Sequence, residues 1–222
     1  VSLKKSREEI LLGSTNYRSI HAKIEEFGVL SELFKKEKPQ IILHTAGLSR
    51  PMNDHVKYLT KSIDLNIIGT CNIVKICKKY NLKLVYFSTG YVYEGKKGNY
   101  KETDPVKPFN NYGLSKLGGE CAVQMYDNSL ILRITMTEKP FAYKKAFKNL
   151  KTNFMFQEDL VKILHKIIDK KGIINVGGKS QSVFRFAKKF NPSIKGIKAI
   201  KSLELPLNQT MDISLFKKII KW

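Results

Sequence analysis

At 222 residues and 42% hydrophobic content, the chain is long enough for one globular domain with a small appendage and too apolar for wholesale disorder. Its formal charge of +21 is almost all lysine, with five arginines among 40 basic residues. Arginine is the residue suited to bidentate recognition of phosphates and bases, so the charge reads as a lysine-rich solvated surface that attracts anionic nucleotides, not as specific nucleic-acid recognition.

The segments alternate between helix and strand. Residues 27–37 have helical periodicity, with Val29, Leu30, Leu33 and Phe34 on one side. Pro39 ends that helix, and Ile41, Ile42 and Leu43 follow as a short apolar strand of the kind buried on both faces in a parallel sheet. A long helix is expected over 54–80, where Leu59, Ile63, Ile67, Cys71 and Val74 recur at steps of three or four, with Asn81 as its stop. Residues 82–88 form another apolar strand.

The loop over 90–110 holds Gly90, Gly95, Gly98, Pro105 and Pro108, and loops of such length in compact domains often carry function. A helix over 111–126, a strand over 130–134, a helix over 157–170 and a strand over 172–176 come next. Helices over 181–190 and 213–220 close the chain. This order implies an α/β fold, a doubly wound parallel sheet whose strand C-terminal ends share one edge, where ligands bind. His44 to Gly47 and Ser88 to Gly90 fall at such ends.

No apolar run approaches the roughly 18 residues of a membrane span, and residues 1–13 lack the apolar stretch of a signal peptide, so a cytoplasmic protein is expected. The three cysteines read as reduced thiols, and the four scattered histidines lack metal-ligand spacing, so no metal is expected.

Two Tyr-x-x-x-Lys spacings occur, Tyr93 with Lys97 and Tyr112 with Lys116. Roughly one or two matches arise by chance in so lysine-rich a chain, so context has to separate them. Tyr93 lies in the glycine-rich loop. Tyr112 opens a helix, which puts Lys116 one turn on and on the same face. A free phenol titrates near ~10, and a neighbouring ammonium favours the phenolate and brings it toward working pH. Tyr112 can then exchange a proton with a carbonyl oxygen, while Thr89 or Ser88 at the strand end hydrogen-bonds that oxygen.

Several ordered segments resemble the extended short-chain dehydrogenases/reductases, and most of all the dTDP-4-dehydrorhamnose reductase branch. HTAG at 44–47 resembles the N-A-A-G strand end beside the cofactor, and DLNIIGT at 64–70 resembles N-V-x-G-T, with Asn66 at the asparagine position. YFSTGYVYEG at 86–95 resembles Y-S-T-D-Y-V-F-D-G, and KPFNNYGLSKLGGE at 107–120 resembles P-x-N-x-Y-G-x-S-K-x-x-G-E. PLNQTMD at 206–212 resembles the P-x-N-S-x-L-D segment of the substrate-binding part.

The resemblance implies a Rossmann-like domain over 1–135 and a small substrate-binding part over 136–222, partly interleaved with the sheet. It implies NADP- or NAD-dependent reduction of the C4 keto group of a nucleotide-linked 6-deoxyhexose, for surface-polysaccharide sugar synthesis. Thr89, Tyr112 and Lys116 would be catalytic. His44, Thr45, Ala46, Gly47, Asn66, Ser88, Tyr112 and Lys116 would line the cofactor, and Gly90, Tyr91 and Asn208 the substrate. A homodimer is implied through the helices 54–80 and 111–126. An epimerase or dehydratase relative, or a regulatory binding subunit without catalysis, are the alternatives on the same fold.

Three features depart from the pattern. His44 stands where asparagine is usual, and Gly90 where aspartate is frequent. The G-x-x-G-x-x-G turn that holds the cofactor pyrophosphate is missing, since neither Gly13 nor the pairs Gly118-Gly119 and Gly177-Gly178 supply it. Residues 2–12 read as the first helix itself, with the chain beginning just after that turn.

Overall fold

The computed structural model describes residues 19–49, 51–199 and 206–221. The expected first helix over 2–12 lies outside them. At the centre is a four-stranded sheet in the order β1-β2-β3-β8, formed by Ile41–His44, Lys83–Thr89, Ser129–Ile134 and Gly172–Val176. All three pairings are parallel. Thr89, Ile134 and Val176 stand side by side, as do Ser88, Arg133 and Asn175, so the strand ends expected to carry chemistry share one edge.

Alternation along the strands divides the core. Leu84, Tyr86 and Ile131 face a cluster with Ile73, Ile76, Cys77 and Val123. These come from helices α4 (Gly69–Tyr80) and α5 (Asn111–Gln124), with Leu30 added from α1 (Phe27–Glu37). Val85, Leu130, Leu132 and Ile134 face the opposite cluster, with Leu160 from α6 (Gln157–Leu164) and Phe216 and Ile220 from α8 (Ser214–Ile220). A third cluster, rich in phenylalanine, gathers Phe141, Phe156, Phe186 and Ile194 around α7 (Val183–Lys188). The C-terminal part therefore lends β8 and α8 to the central sheet and keeps a small core of its own.

The expected helix over 54–80 is not one regular helix. It runs as α2 (Asp54–Lys57), α3 (Leu59–Ile63), a π-helical turn (Asp64–Ile68) and α4, closed by Asn81 in the left-handed region at φ 54°. Its expected apolar stripe is also displaced. Leu59 and Ile63 are exposed, while His55, Ser62, Asn66 and Thr70 face inward. Asn66 and Thr70 pair with the strand-end chemistry, so the inner face of this helix is polar by demand. Two further corrections concern burial. Val29 is exposed on α1, and Ile41 and Leu43 are exposed because β1 is the edge strand among the described residues.

Candidate active site

The site begins where β1 and β2 end. After β1 the chain turns through Gly47, where an added Cβ would lie 2.6 Å from Asn66 Oδ1. The close approach lets the Asn66 amide bond like a short strand: its Oδ1 accepts from Leu48 N at 2.8 Å, and its Nδ2 donates to Leu48 O at 2.9 Å. Nδ2 also donates to Ser115 Oγ at 2.8 Å, and Ser115 Oγ donates to the Tyr112 carbonyl at 2.9 Å. Asn66 thus joins the β1 end, the π turn and the first turn of α5 in one rigid unit. π turns are frequent at functional sites. The sequence pattern marked Asn66 as a cofactor residue; the structure commits its amide to the protein scaffold.

α5 sits close against the π turn because residue 119 is glycine: a Cβ there would meet Asn66 O at 2.5 Å and Tyr86 Oη at 2.8 Å. Asn110 caps the helix, its Oδ1 accepting from Gly113 N at 2.8 Å, which fixes Tyr112 in the first turn. The Tyr112 ring packs against His55 and Tyr91, with centroids 5.1 and 5.6 Å away.

One turn on, Lys116 is buried at 7% exposure, its ammonium 4.1 Å from the centre of the Tyr86 ring. Among the described residues it donates no side-chain hydrogen bond. Burial brings this ammonium down to about 7, opposed by the Glu120 carboxylate. His44 is also buried and is held down at about 3 by burial and by Lys116, so it is neutral at physiological pH. Its Nε2 lies 2.9 Å from Thr70 Oγ1, which itself donates to Asn66 O, so His44 serves as the donor in that pair.

Thr89 ends β2 and caps the short 3-10 turn Gly90–Val92, its Oγ1 accepting from Tyr91 N at 3.2 Å. Gly90 is buried, and a Cβ would meet Thr135 Oγ1 at 3.1 Å and Met211 Sδ at 3.3 Å, so an aspartate at this point would need both neighbours to give way. The competing Tyr93 is used up inside the protein. It is 1% exposed, stacks on Tyr100 at 4.7 Å and hydrogen-bonds Arg133, while Lys97 pairs with Asp104 at the surface.

The structure therefore brings His44, Gly47, Asn66, Ser88, Thr89, Gly90, Tyr91, Tyr112 and Lys116 onto adjoining elements. Thr45 and Ala46 lie in the same β1 turn. Asn208 is placed differently. Its Nδ2 donates to Lys97 O, its Oδ1 accepts from Thr210, and its backbone N–H donates to Gly95 O, so it braces the outer end of the 90–110 loop.

The sequence reading missed a buried polar layer beneath the site. Glu120 is fully buried and receives Arg133 Nη2 at 2.6 Å, Arg133 Nε at 3.1 Å and Ser88 Oγ at 2.6 Å. Arg133 Nη1 continues to Tyr93 Oη at 2.7 Å, and Tyr93 continues to Asn175 at 2.9 Å. A charged residue in the middle of an apolar strand was the available signal, because such a residue is buried only when paired. Elsewhere, a cavity of about 460 Å³ lined by Phe156, Phe186, Phe190 and Phe216 shares no residue with this site. Among the described residues no helix is long and apolar enough to cross a membrane, and no His, Cys, Asp and Glu group could hold a metal.

The family described as the RmlD substrate binding domain matches residues 3–166. The dTDP-D-glucose 4,6-dehydratase of Dictyostelium discoideum is 31% identical over 140 residues, 57% of this chain and 32% of its own length. Methionine adenosyltransferase 2 subunit beta of Xenopus tropicalis is 28% identical over 193 residues, 86% of this chain and 51% of its own. The chain thus spans about a third to a half of these curated relatives. Among solved structures, a hypothetical dTDP-4-dehydrorhamnose reductase from Sulfolobus tokodaii superposes with a TM-score of 0.80 at 27% identity, covering 93% of this chain and 84% of that one. The Bacillus anthracis dTDP-4-dehydrorhamnose reductase, solved in complex with NADP, superposes at 0.79 with 20% identity, covering 95% and 86%. The fold is Rossmann-like.

Proposed function

The chain belongs to the RmlD substrate binding domain family, and from that premise we propose that it reduces the C4 keto group of a nucleotide-linked 6-deoxyhexose with NADPH or NADH. The observation that carries this reading is the placement of Thr89, Tyr112 and Lys116 on adjoining elements at the C-terminal edge of a parallel sheet. The residues present fit the nicotinamide-ribose end of such a cofactor. A buried ammonium that donates no side-chain hydrogen bond among the described residues is suited to a pair of ribose hydroxyls.

When bound, the dihydronicotinamide supplies a hydride to the carbonyl carbon. Tyr112 donates its phenolic proton to the carbonyl oxygen, giving the alcohol and leaving a phenolate. Thr89, whose oxygen already accepts from Tyr91 N, directs its proton to the same oxygen and orients it. Lys116 stabilises the phenolate until solvent returns a proton. His44 and Asn66 keep the scaffold rigid, since His44 Nε2 is spent on Thr70 and the Asn66 amide on Leu48 and Ser115.

The test is oxidation of NADPH or NADH in the presence of a dTDP-4-keto-6-deoxyhexose. Tyr112→Phe should lower turnover by about 10²–10⁴-fold, the range for general acid catalysis, with unfolding unchanged. A variant that keeps full activity sinks the mechanism.

A second reading is a binding subunit without catalysis, favoured by the likeness to methionine adenosyltransferase 2 subunit beta across most of the chain. A stable hetero-complex with no turnover would select it. In either reading we propose a homodimer. Val56, Leu59 and Ile63 on one side at helical spacing, with Leu114 on α5 and Met125 just past its end, present exposed apolar side chains, Val56 at 71% and Met125 at 86% exposure.

A further inference from the structure

We propose that Glu120 is a positioning residue for this site: a buried carboxylate, fixed by Arg133 and Ser88, that supplies the anion one turn from Lys116 and ties the Thr89 strand end to the helix carrying Tyr112. The proposal rests on the reductase reading of Thr89, Tyr112 and Lys116.

Three observations converge on it. Glu120 follows Lys116 by four residues on α5, so the two side chains leave the same face one turn apart. The carboxylate cannot swing away, because Arg133 grips it through Nε and Nη2 and Ser88 donates to its second oxygen. Ser88 is the residue before Thr89, so the same carboxylate bridges α5 to the end of β2. Lys116, Glu120 and Arg133 make a buried group with net charge of one positive unit, and Glu120 is its only anion.

The other groups facing Lys116 do not replace that anion. Tyr112 shares its helix, Tyr86 offers the ring face from β2, and the neutral His44 lies at the β1 end. Thr70 contributes a hydroxyl whose proton is spent on Asn66. Burial pulls the Lys116 ammonium down to about 7, and the Glu120 carboxylate is what holds it from falling further. Without Glu120, burial acts on Lys116 unopposed, and a smaller share of it is charged at physiological pH. It then stabilises a Tyr112 phenolate less and offers a diol a charged donor less often.

The substitution Glu120→Gln keeps the shape and removes the charge. The readout is the titration of Lys116 in full-length protein, followed by NMR of its ¹³Cε signal, identified as the one lost in Lys116→Arg. The expected result is a midpoint near 7 in the native protein and one at least about one pH unit lower in the variant. The alkaline limb of any reductase activity should move by the same amount. Equal midpoints in two folded proteins overturn the proposal. A shifted midpoint with no turnover by native protein sinks the reductase reading and leaves the Glu120–Lys116 coupling standing. Equal midpoints with turnover do the reverse. If Glu120→Gln does not fold, the same titration on Glu120→Gln with Arg133→Met, which removes both buried charges, decides between these outcomes.

Discussion

Gly119→Ala and Gly28→Ala are the same chemical change in two helices, and they should have opposite effects. In a helix interior the exchange gains roughly 0.5–1 kcal/mol from backbone entropy. At Gly28, in the first turn of α1, an added Cβ meets nothing within 4 Å, so nothing offsets the gain, which at a helix start is about 0.5 kcal/mol, the low end of that range. At Gly119 the Cβ would lie 2.5 Å from Asn66 O, 2.8 Å from Tyr86 Oη and 3.1 Å from Thr70 Oγ1. A comfortable carbon–oxygen contact is about 3.3 Å, so α5 must retreat from the π turn by roughly 0.8 Å. Overpacking of that kind costs about 1–3 kcal/mol, leaving a net loss on the order of 1–2 kcal/mol. At about 2–4 °C per kcal/mol for a chain of this size, Gly119→Ala should lower Tm by ~2–8 °C while Gly28→Ala raises it by ~1–2 °C. Thermal unfolding by circular dichroism reads both. The retreat also carries Tyr112 and Lys116 with the helix, so activity should fall by up to about 10²-fold, the cost of a displacement near 1 Å. If Gly119→Ala stabilises the protein as much as Gly28→Ala, α5 and the π turn are not in the contact described.

Three other outcomes follow from the same geometry. Arg133→Met leaves the Glu120 carboxylate buried without its main partner and should cost about 3–5 kcal/mol, read from urea midpoints. His44 titrates near 3 in the folded protein instead of 6.5, so the unfolded chain binds a proton the folded one refuses, and stability falls as pH drops from about 6.5 toward 3. His44→Asn should flatten that acid-side slope in urea titrations at successive pH values, and an unchanged slope would show that His44 is not buried neutral. Val56→Glu with Leu59→Glu should convert a dimer into a monomer by light scattering at micromolar concentration, and a native protein that is already a monomer would rule the dimer out.

The strands and most helices were legible because they obey one period each. β2 and β3 are built on apolar runs, Leu84 to Phe87 and Leu130 to Leu132, and Asn81 stops α4 where the stop was expected. The placement of Tyr112 and Lys116 one turn apart on one helix was legible because a capped helix start sets it. What escaped was built on exceptions to hydrophobic periodicity. The inner face of residues 55–70 is polar, so its apolar stripe pointed to the wrong side. The pairing of Glu120 with Arg133 joins a helix to a strand across 13 positions, and no spacing rule connects them. The two-residue strands β4 (Met136–Thr137), β7 (Met155–Phe156) and β9 (Gln181–Ser182) are too short to show any period.

The π turn at Asp64–Ile68 acts as a phase correction. Ser62, Asn66 and Thr70 are spaced by two steps of four, which on a regular α-helix would drift about 80° around the axis. The extra residue in the wide turn absorbs the drift, and all three stay in line to reach His55, Leu48 with Ser115, and His44. Loss of a single residue from this turn would mend the helix into a smoother one, and in doing so rotate one half of the row out of alignment. The stretch is therefore tolerant of a length change as a helix and intolerant of it as a scaffold.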